Sequence, residues 1–250
     1  MQFGLQDNFY MKFIYSTLIF FTLFSIQSQN DLNIGFEKKV NPELSIKNLN
    51  NNQLSYIRFL KKNLYKFKYN LKIDLDNQIS VFSSNYQMSV DGQDRTDRQI
   101  LNTLNGRYPI YTSIKKDSIF ELSNPLNNIS FFTRFHINSH NWQLFDSTKV
   151  INGLRCKLAK GKLAQENPFL NSKNEIEYFA WYSPELPSKY GPSFFTGLPG
   201  LVVLAGYDFL IYEIKDIKKD NITLKLPKSK SINEKELIIK LKEAMMNTKN

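Results

Sequence analysis

The chain has 250 residues, a single cysteine and a formal net charge of +10. This length suits one domain with a substantial core, and one cysteine excludes a fold held together by internal disulfide bonds. A basic surface can recruit phosphate, lipid headgroups or acidic polysaccharides, but a positive charge that comes mostly from lysine usually means a solvated face. Because the basic residues are mostly lysine, without an arginine cluster or a recognition helix, we expect no nucleic-acid binding.

A short apolar segment near the N-terminus is typical of a secretory signal peptide. It follows Lys12, runs from Phe13 to Ile26 and ends before Ser28, a small residue of the kind that precedes cleavage sites. The run is shorter than the roughly 20 residues that span a bilayer, and we expect translation to start at Met11. We therefore predict a signal peptide over residues 1–28 and a single β-rich domain over residues 29–250. The mature chain should have no transmembrane span and should lie in the periplasm or at the outer membrane.

The predicted elements after the signal peptide are mostly strands. Residues 54–64 are an exception, since their apolar side chains recur at the spacing of a short helix. Residues 65–75 alternate between apolar and polar side chains, which makes them the clearest strand, and residues 79–82 pair back on them as a hairpin. The chain ends in a predicted helix over residues 232–246, with Ser231 and Glu234 as its capping box. The other predicted strands are residues 32–40, 108–114, 118–122, 129–137, 141–146, 152–163, 175–183, 201–206, 209–217 and 221–226.

These elements predict a mainly β fold. About ten strands with hairpin-length connections favour an antiparallel sheet over alternating strands and helices. We predict a curved antiparallel sheet, open or half-barrel, that is covered by one or two helices, including the C-terminal helix. A half-barrel of this kind is similar to periplasmic lipid carriers, but a likeness of fold implies no function.

The chain is organised around residues 178–208, which hold four of its nine prolines and four of its ten glycines. Within them, residues 197–201 are predicted to form a type II turn. Pro199 presets the backbone of the first central position, and Gly200 supplies the positive φ of the second. We expect this turn to lead directly into a strand. The structural motif comprises Gly191, Pro192, Gly197, Leu198, Pro199, Gly200 and Leu201.

Aromatic residues crowd the same segment, and two interpretations of them stay open. We favour the first, in which the loop plugs one end of the sheet as part of the core. In the second, the aromatic side chains form an apolar mouth that receives a ligand or a partner protein, because pockets and interface hot spots are often aromatic. The candidate binding residues are Trp181, Tyr190, Phe194 and Phe195.

No residue pattern in the chain indicates catalysis. Ser193 lies between glycines, but it lacks the glycine spacing, the preceding strand and the following helix of a nucleophile elbow. Glu175, Glu177 and Glu185 lie near the motif, yet nothing marks two of them as a glycosidase pair. Cys156 lies in an alternating strand and is predicted to be buried and non-catalytic. We therefore predict no catalytic residue and no cofactor.

Two other groups resemble metal ligands without matching a known arrangement. His136 and His140 are four residues apart, but they flank the end of a predicted strand instead of sharing a helix face. Asp91, Asp94 and Asp97 lack the spacing and the closing glutamate of a calcium-binding loop. A solvated loop is expected there, and no metal site is predicted.

Two segments of the chain carry a family resemblance. Residues 197–202 read Gly-Leu-Pro-Gly-Leu-Val and follow the aromatic and proline-rich residues 180–187, while residues 142–159 join a tryptophan to an Ile-Asn-Gly-Leu-Arg-Cys run. Together they resemble the GLPGLI family of secreted Bacteroidetes proteins, which is named for the hexapeptide. Val202 replaces its isoleucine, and Leu154 lies where an aromatic residue is usual. The resemblance implies secretion but no activity, because no function is established for that family.

These observations favour a non-enzymatic protein of the cell envelope that uses the aromatic-rich loop for binding. Its partner would be an envelope or outer-membrane protein, or an apolar ligand. Two alternatives stay open. One is a hydrolase that acts on envelope polymers through carboxylates that no pattern identifies. The other is a lipid-carrier-like periplasmic protein, which predicts a cavity lined by phenylalanine and leucine.

We predict that the mature protein begins near Gln29, because a signal peptidase would cleave after the small residue that ends the apolar run. N-terminal sequencing of the protein recovered from its own cells should find Gln29 or a close neighbour at the N-terminus. Recovery of a cytosolic form that begins at Met1 would contradict this prediction.

Overall fold

The computed structural model describes residues 31–43, 49–85, 108–123, 131–167, 172–207, 209–228 and 230–247. All of them belong to one compact unit that begins at Asp31. Two predicted features lie outside the described residues: the signal peptide over residues 1–28 and the loop that contains Asp91, Asp94 and Asp97.

In the described part of the chain, twelve strands form one open sheet, which confirms the mainly β fold. Their order across the sheet is β12-β6-β5-β4-β3-β2-β1-β11-β10-β9-β8-β7. Neighbouring strands are antiparallel, except that β12 runs parallel to β6. The strands are β1 (Asp31–Val40), β2 (Lys68–Asp74), β3 (Ile79–Ser84), β4 (Ile110–Ser113), β5 (Ser118–Ser123), β6 (Phe131–His136), β7 (Gln143–Ile151), β8 (Leu154–Asn167), β9 (Ser172–Ser183), β10 (Leu201–Tyr207), β11 (Leu210–Asp220) and β12 (Ser231–Asn233).

Two α-helices accompany the sheet in the described residues. Helix α1 (Asn51–Asn63) buries Ile57 and Leu60 and contacts β1. Its N-terminus is fixed by a capping box, in which the Gln53 backbone N–H donates to the Asn50 side chain at 2.9 Å and the Asn50 N–H donates to the Gln53 side chain at 3.0 Å. Helix α2 (Glu234–Asn247) contacts β6 and β12 at the far edge of the sheet.

The start of α2 differs from the sequence-based prediction. The capping box is formed by Asn233 and Glu236, whose backbone N–H donates to the Asn233 side chain at 2.9 Å, and not by Ser231 and Glu234. The reason is that residues 231–233 are extended as β12 and pair with β6. The helix therefore starts after this strand.

Two predicted strand segments are also wrong. Tyr65 lies in a 3₁₀ turn (Leu64–Lys66) with 75% of its surface exposed, so β2 begins three residues later at Lys68. Residues 221–226 form no strand, although their backbone is anchored. The Ile222 N–H donates to Asp31 Oδ2 and the Leu224 N–H donates to Asp74 Oδ2, both at 2.8 Å. Carboxylates thus replace the carbonyl groups of a neighbouring strand.

Alternation along most strands places one set of side chains in the core, whereas residues 201–206 of β10 are all buried, so both faces of that strand are covered. On β1 the buried residues are Asp31, Leu32, Ile34, Phe36 and Lys38, and the last of these is a lysine at an apolar position. On β2, Tyr69 stacks on Phe82 with ring centroids 5.5 Å apart. Cys156 is buried as predicted, and burial raises the pKa of its thiol to about 11.

Candidate functional site

The motif loop, residues 184–200, joins β9 to β10 and folds back on itself. The Lys189 N–H donates to the Leu198 carbonyl at 2.8 Å, and the Gly197 N–H donates to the Lys189 carbonyl at 3.2 Å. The Val202 N–H of β10 donates to the Tyr190 carbonyl at 3.0 Å. These bonds satisfy backbone groups that burial would otherwise leave without partners.

The glycines of the motif are needed for a reason that the sequence did not indicate. Within the predicted turn, residues 197–201, the residue with a positive φ is Gly197 (86°), so the prediction that Gly200 supplies it is wrong. Gly200 instead lies against the end of β9, where a Cβ would overlap the Ser183 carbonyl oxygen and come within 2.9 Å of Pro184 Cα. Gly191 is constrained in the same way, because a Cβ there would overlap the Phe195 carbonyl oxygen. Close backbone packing therefore excludes larger residues at both positions.

Side chains from outside the loop hold it in place. The Trp142 indole N–H donates to the Thr196 carbonyl at 2.8 Å, and the ring of Trp142 stacks on His140 with centroids 5.4 Å apart. Tyr178 packs against both rings and donates its hydroxyl to the His140 carbonyl at 2.9 Å. His140 is buried, and burial lowers its pKa to about 4, so its imidazole is neutral at pH 7.

The four candidate binding residues do not share one surface. Tyr190 and Phe195 are buried in the core, whereas Trp181 and Phe194 are half-buried. Trp181 lies on the opposite face of β9 from its buried neighbours, with Lys149 Nζ 5.8 Å from its ring centroid. Phe194 packs edge-on against Phe135. Most of the motif residues are buried as well: Leu198 and Leu201 have 1% and 0% of their surface exposed. Pro199 is the exception and is exposed.

The other sequence candidates lie apart from one another. The exposed His136 accepts a hydrogen bond from the Asn138 N–H at 3.1 Å. Glu175 and Glu177 both pair with Lys162 on an exposed face, and Glu185 pairs with Arg155. In the described ranges, no three His, Cys, Asp or Glu side chains converge as metal ligands do.

One carboxyl that the sequence did not single out is partly buried. Glu121 lies on β5, and burial raises its pKa to about 7. It pairs across the sheet with Ile110 on β4 and Thr133 on β6.

A chain of buried polar groups connects the motif loop to β1. Lys38 Nζ donates to the Tyr212 hydroxyl at 2.9 Å, and a hydrogen bond joins that hydroxyl to Ser193. The backbone of Ser193 is left-handed, with φ 54°, which is uncommon outside glycine. Burial lowers the pKa of Lys38 to about 7, so roughly half of the amine is neutral at that pH, and burial raises the pKa of Tyr212 well above its ordinary value.

Sequence reasoning missed this chain because Lys38 stands in a Glu-Lys-Lys run that is typical of a solvated strand end. A signal was nevertheless available. Counting in steps of two from Ile34 through Phe36 places Lys38 on the buried face of β1. Its partner Tyr212 is 174 positions away in sequence, and only the pairing of β1 with β11 brings the two together.

A groove of about 420 Å³ opens where β1 separates from β2. The register of the two strands stops at Glu37 and Lys68, whereas β1 continues to Val40 beside β11. The end of α1 and the 3₁₀ turn form the opposite wall. The lysines that line the groove are Lys38, Lys39, Lys61, Lys68 and Lys215.

The remaining polar groups of the groove are of three kinds. Glu37 and Asp216 contribute carboxylates, and Asn70 and Asn85 contribute amides. Tyr69 also lines the groove. Its hydroxyl is buried and forms no hydrogen bond with any residue that the structure describes. Buried polar groups are nearly always paired, so this hydroxyl is an exception among the described residues.

Comparisons with known proteins indicate a fold class and a family without a known function. Residues 144–204, from β7 into β10, match the model of a family described as a protein of unknown function (Porph_ging). No curated protein sequence matches the chain. Among the described residues, no helix is long and apolar enough to cross a membrane.

The fold is similar to that of PNGF-II, which has been solved in two crystal forms. The C2 form matches with a TM-score of 0.52 and 13% identity over 87% of this chain, and the P21 form with 0.50 and 12% over 86%. This chain spans about a third of the PNGF-II chain, 33% and 34% in the two forms. Such low identities show a shared fold alone.

A third structure is an uncharacterized conserved protein from Thermus thermophilus. It matches over 88% of this chain and 99% of its own, with 6% identity and a TM-score of 0.29. A TM-score this low supports no argument about fold or function.

We predict that Gly200→Ala destabilises the protein by about 1 to 3 kcal/mol, because the new methyl group meets backbone atoms of Ser183 and Pro184 that cannot rotate away. Urea unfolding should measure the loss. Gly153→Ala is the control: that glycine has a positive φ but open space around it, so only backbone strain of about 1 kcal/mol is expected. An unchanged midpoint for Gly200→Ala would contradict the close packing.

We predict that Lys38→Met stabilises the protein at pH 7 by on the order of a few kcal/mol. The pKa of Lys38 is lower in the folded state than the ordinary value of 10.5, so the unfolded state binds more protons between about pH 7 and 10.5. Wild-type stability therefore rises with pH across that window, and the advantage of methionine shrinks.

Urea midpoints at pH 7 and pH 10 measure this difference. Lys72→Met, on the exposed side of β2, is the control and should change stability by less than about 0.5 kcal/mol. An equal loss of stability at both pH values in Lys38→Met would show that the hydrogen bond to Tyr212 outweighs the burial of the amine.

Proposed function

We propose that this protein is an exported binding module of the cell envelope, related to the GLPGLI family of secreted Bacteroidetes proteins. We further propose that it binds an anionic ligand in the groove beside β1. The apolar segment near the N-terminus supports export, and the hexapeptide at residues 197–202 supports the family. In this function the motif loop has a structural role. Its Ser193 is hydrogen-bonded to Tyr212, and the Tyr212 hydroxyl accepts a hydrogen bond from Lys38, which lines the groove.

The groove itself carries the proposal. Five lysines and two carboxylates line it, so the sum of its charges is positive. Its volume lies at the lower end of the range of about 300 to 1,000 Å³ found for small-molecule sites. The net charge of +10 on the chain draws anions towards the protein as a whole. A ligand with negative charge would therefore be attracted from a distance and held at the lysines.

The structure gives less support to an apolar ligand. A lipid carrier would need a cavity lined by phenylalanine and leucine, but the apolar face of the sheet is filled by packed rings such as Tyr69, Phe82 and Tyr212. Of the four aromatic candidates, Tyr190 and Phe195 contribute to this packed core. The likeness to PNGF-II supports a module, because there the same fold accounts for a third of a longer chain.

A hydrolase is the second candidate, and one observation favours it. Ser193 is hydrogen-bonded to Tyr212, which accepts from a lysine whose amine is partly neutral at pH 7, and a chain of this kind could move a proton away from a nucleophile. All three side chains, however, are at least 95% buried, so a substrate has no path to Ser193 in this conformation. Binding in the groove needs no such opening.

The test compares two double variants of equal charge. Lys61→Gln with Lys68→Gln removes two cations from the groove, whereas Lys62→Gln with Lys72→Gln removes two exposed cations from the same helix and strand outside it. The ligand is dextran sulfate, with uncharged dextran as the matched polymer, and binding is measured by isothermal calorimetry at about 0.15 M salt.

We expect the groove variant to bind dextran sulfate about 5- to 20-fold more weakly, since each charge contact contributes roughly 0.5 to 1 kcal/mol. The control variant should lose less than about 2-fold. Equal losses in the two variants would mean that net charge alone attracts the polymer. That result, or no binding by the wild type, would overturn the proposal.

A further inference from the structure

The groove contains groups that a bare anion would not use. Glu37 and Asp216 place carboxylates among the lysines. A carboxylate accepts hydrogen bonds only, so it repels an anion without a hydroxyl group, such as sulfate, but accepts from a hydroxyl group. Asn70 and Asn85 add amides, which both donate and accept. This combination fits a ligand that has hydroxyl donors as well as a negative charge.

Part of the carboxylate charge is already compensated on the protein. Glu37 pairs with Lys39 at 3.3 Å, and Asp216 lies 4.0 Å from Lys218. Lys39 also pairs with Glu213 on β11. Lys39 is therefore committed to protein carboxylates, which leaves Lys61, Lys68 and Lys215 as the cations of the groove placed to meet a ligand's acid group.

An exposed aromatic ring stands at the groove. Tyr65 lines it with 75% of its surface exposed, and it is the residue that the 3₁₀ turn takes out of the predicted strand. An exposed aromatic face presents an apolar, flat surface on which a ring of similar shape can pack. Phe59 offers a comparison, because it is 40% exposed on α1 but does not line the groove.

The inner part of the groove offers a further polar position. Tyr69 is fully buried, and no described residue is hydrogen-bonded to its hydroxyl. A hydroxyl without a partner in a buried position indicates a missing polar neighbour. Either a hydrogen-bond donor or an acceptor on a ligand would satisfy the Tyr69 hydroxyl.

We propose that the groove binds an acidic saccharide, meaning a hydroxylated ring that carries a carboxylate or sulfate group; this inference rests on the proposed anion-binding function. Lys61, Lys68 and Lys215 hold the acid group. Glu37, Asp216 and the two amides accept or donate at the ring hydroxyls. Tyr65 packs against the ring. A phosphate ion or an anionic lipid headgroup meets the lysines but offers no ring that packs against Tyr65.

The experiment uses the full chain and five probes. Tetragalacturonate and a chondroitin sulfate tetrasaccharide are acidic saccharides. Fully methyl-esterified tetragalacturonate keeps the ring and loses the charge. Inorganic phosphate and vesicles of phosphatidylglycerol both carry negative charge and lack the sugar ring. The vesicles test whether the groove binds a lipid headgroup. Isothermal calorimetry measures the soluble probes and co-sedimentation measures the vesicles.

We expect at least one acidic saccharide to bind at least 10-fold more tightly than the methyl ester and than phosphate or vesicles. Tyr65→Ser should weaken saccharide binding about 10-fold while changing the binding of inorganic phosphate, which has no ring, less than 2-fold. Phe59→Ser, which removes an exposed ring from outside the groove, should change neither.

The outcomes separate this inference from the function on which it rests. Binding of phosphate or vesicles as tight as that of the saccharides would overturn the saccharide inference and leave an anion site. The same holds if Tyr65→Ser and Phe59→Ser behave alike. Absence of binding by every anionic probe, dextran sulfate included, would overturn both proposals.

Discussion

The packing of the motif loop against the sheet is the constraint on which the rest of the structure depends. Gly200 and Gly191 let backbone approach backbone more closely than any Cβ allows. This approach carries Phe195 into the aromatic cluster around Tyr178 and carries Ser193 to Tyr212. The loop thus completes the core that the sheet alone would leave open. A hexapeptide that reads like a surface turn is therefore a buried structural element.

The pairing of β1 with β11 places a lysine, Lys38, in the core. Burying Lys38 beside a phenol costs free energy, because the charged amine loses water, which the hydrogen bond to the Tyr212 hydroxyl and the contact of the amine with the Tyr212 ring, 4.5 Å from its centroid, only partly replace. An apolar side chain would fill the position more cheaply. The adjacent groove gives a physical reason for its presence, since an anion there would favour the charged form of the amine. Local structure that opposes stability is common where a protein binds its ligand.

The groove lies where β1 is still paired with β11 but no longer paired with β2. β1 stays paired with β11 as far as Val40, but its pairing with β2 stops at Glu37. The 3₁₀ turn before β2 creates the separation and turns Tyr65 outwards. Sheet, turn and helix therefore meet at the groove, and the groove, instead of the aromatic loop, is the proposed binding site. The likeness to PNGF-II extends to the sheet as a whole and carries no information about the groove.

The sequence by itself determined the mainly β fold, nearly all of the strands, both helices and the burial of Cys156, because these follow from local alternation, apolar spacing and turn residues. It missed the conformation of Gly200, the strand before α2 and the turn at Tyr65, since each depends on a neighbour distant in sequence. The groove depends on tertiary structure entirely. Its walls come from β1, α1, β2, Asn85 and β11, and no local pattern links Glu37 to Asp216. Only strand pairing over nearly 180 positions brings those side chains to one site, because register is fixed by the whole sheet and not by any one strand.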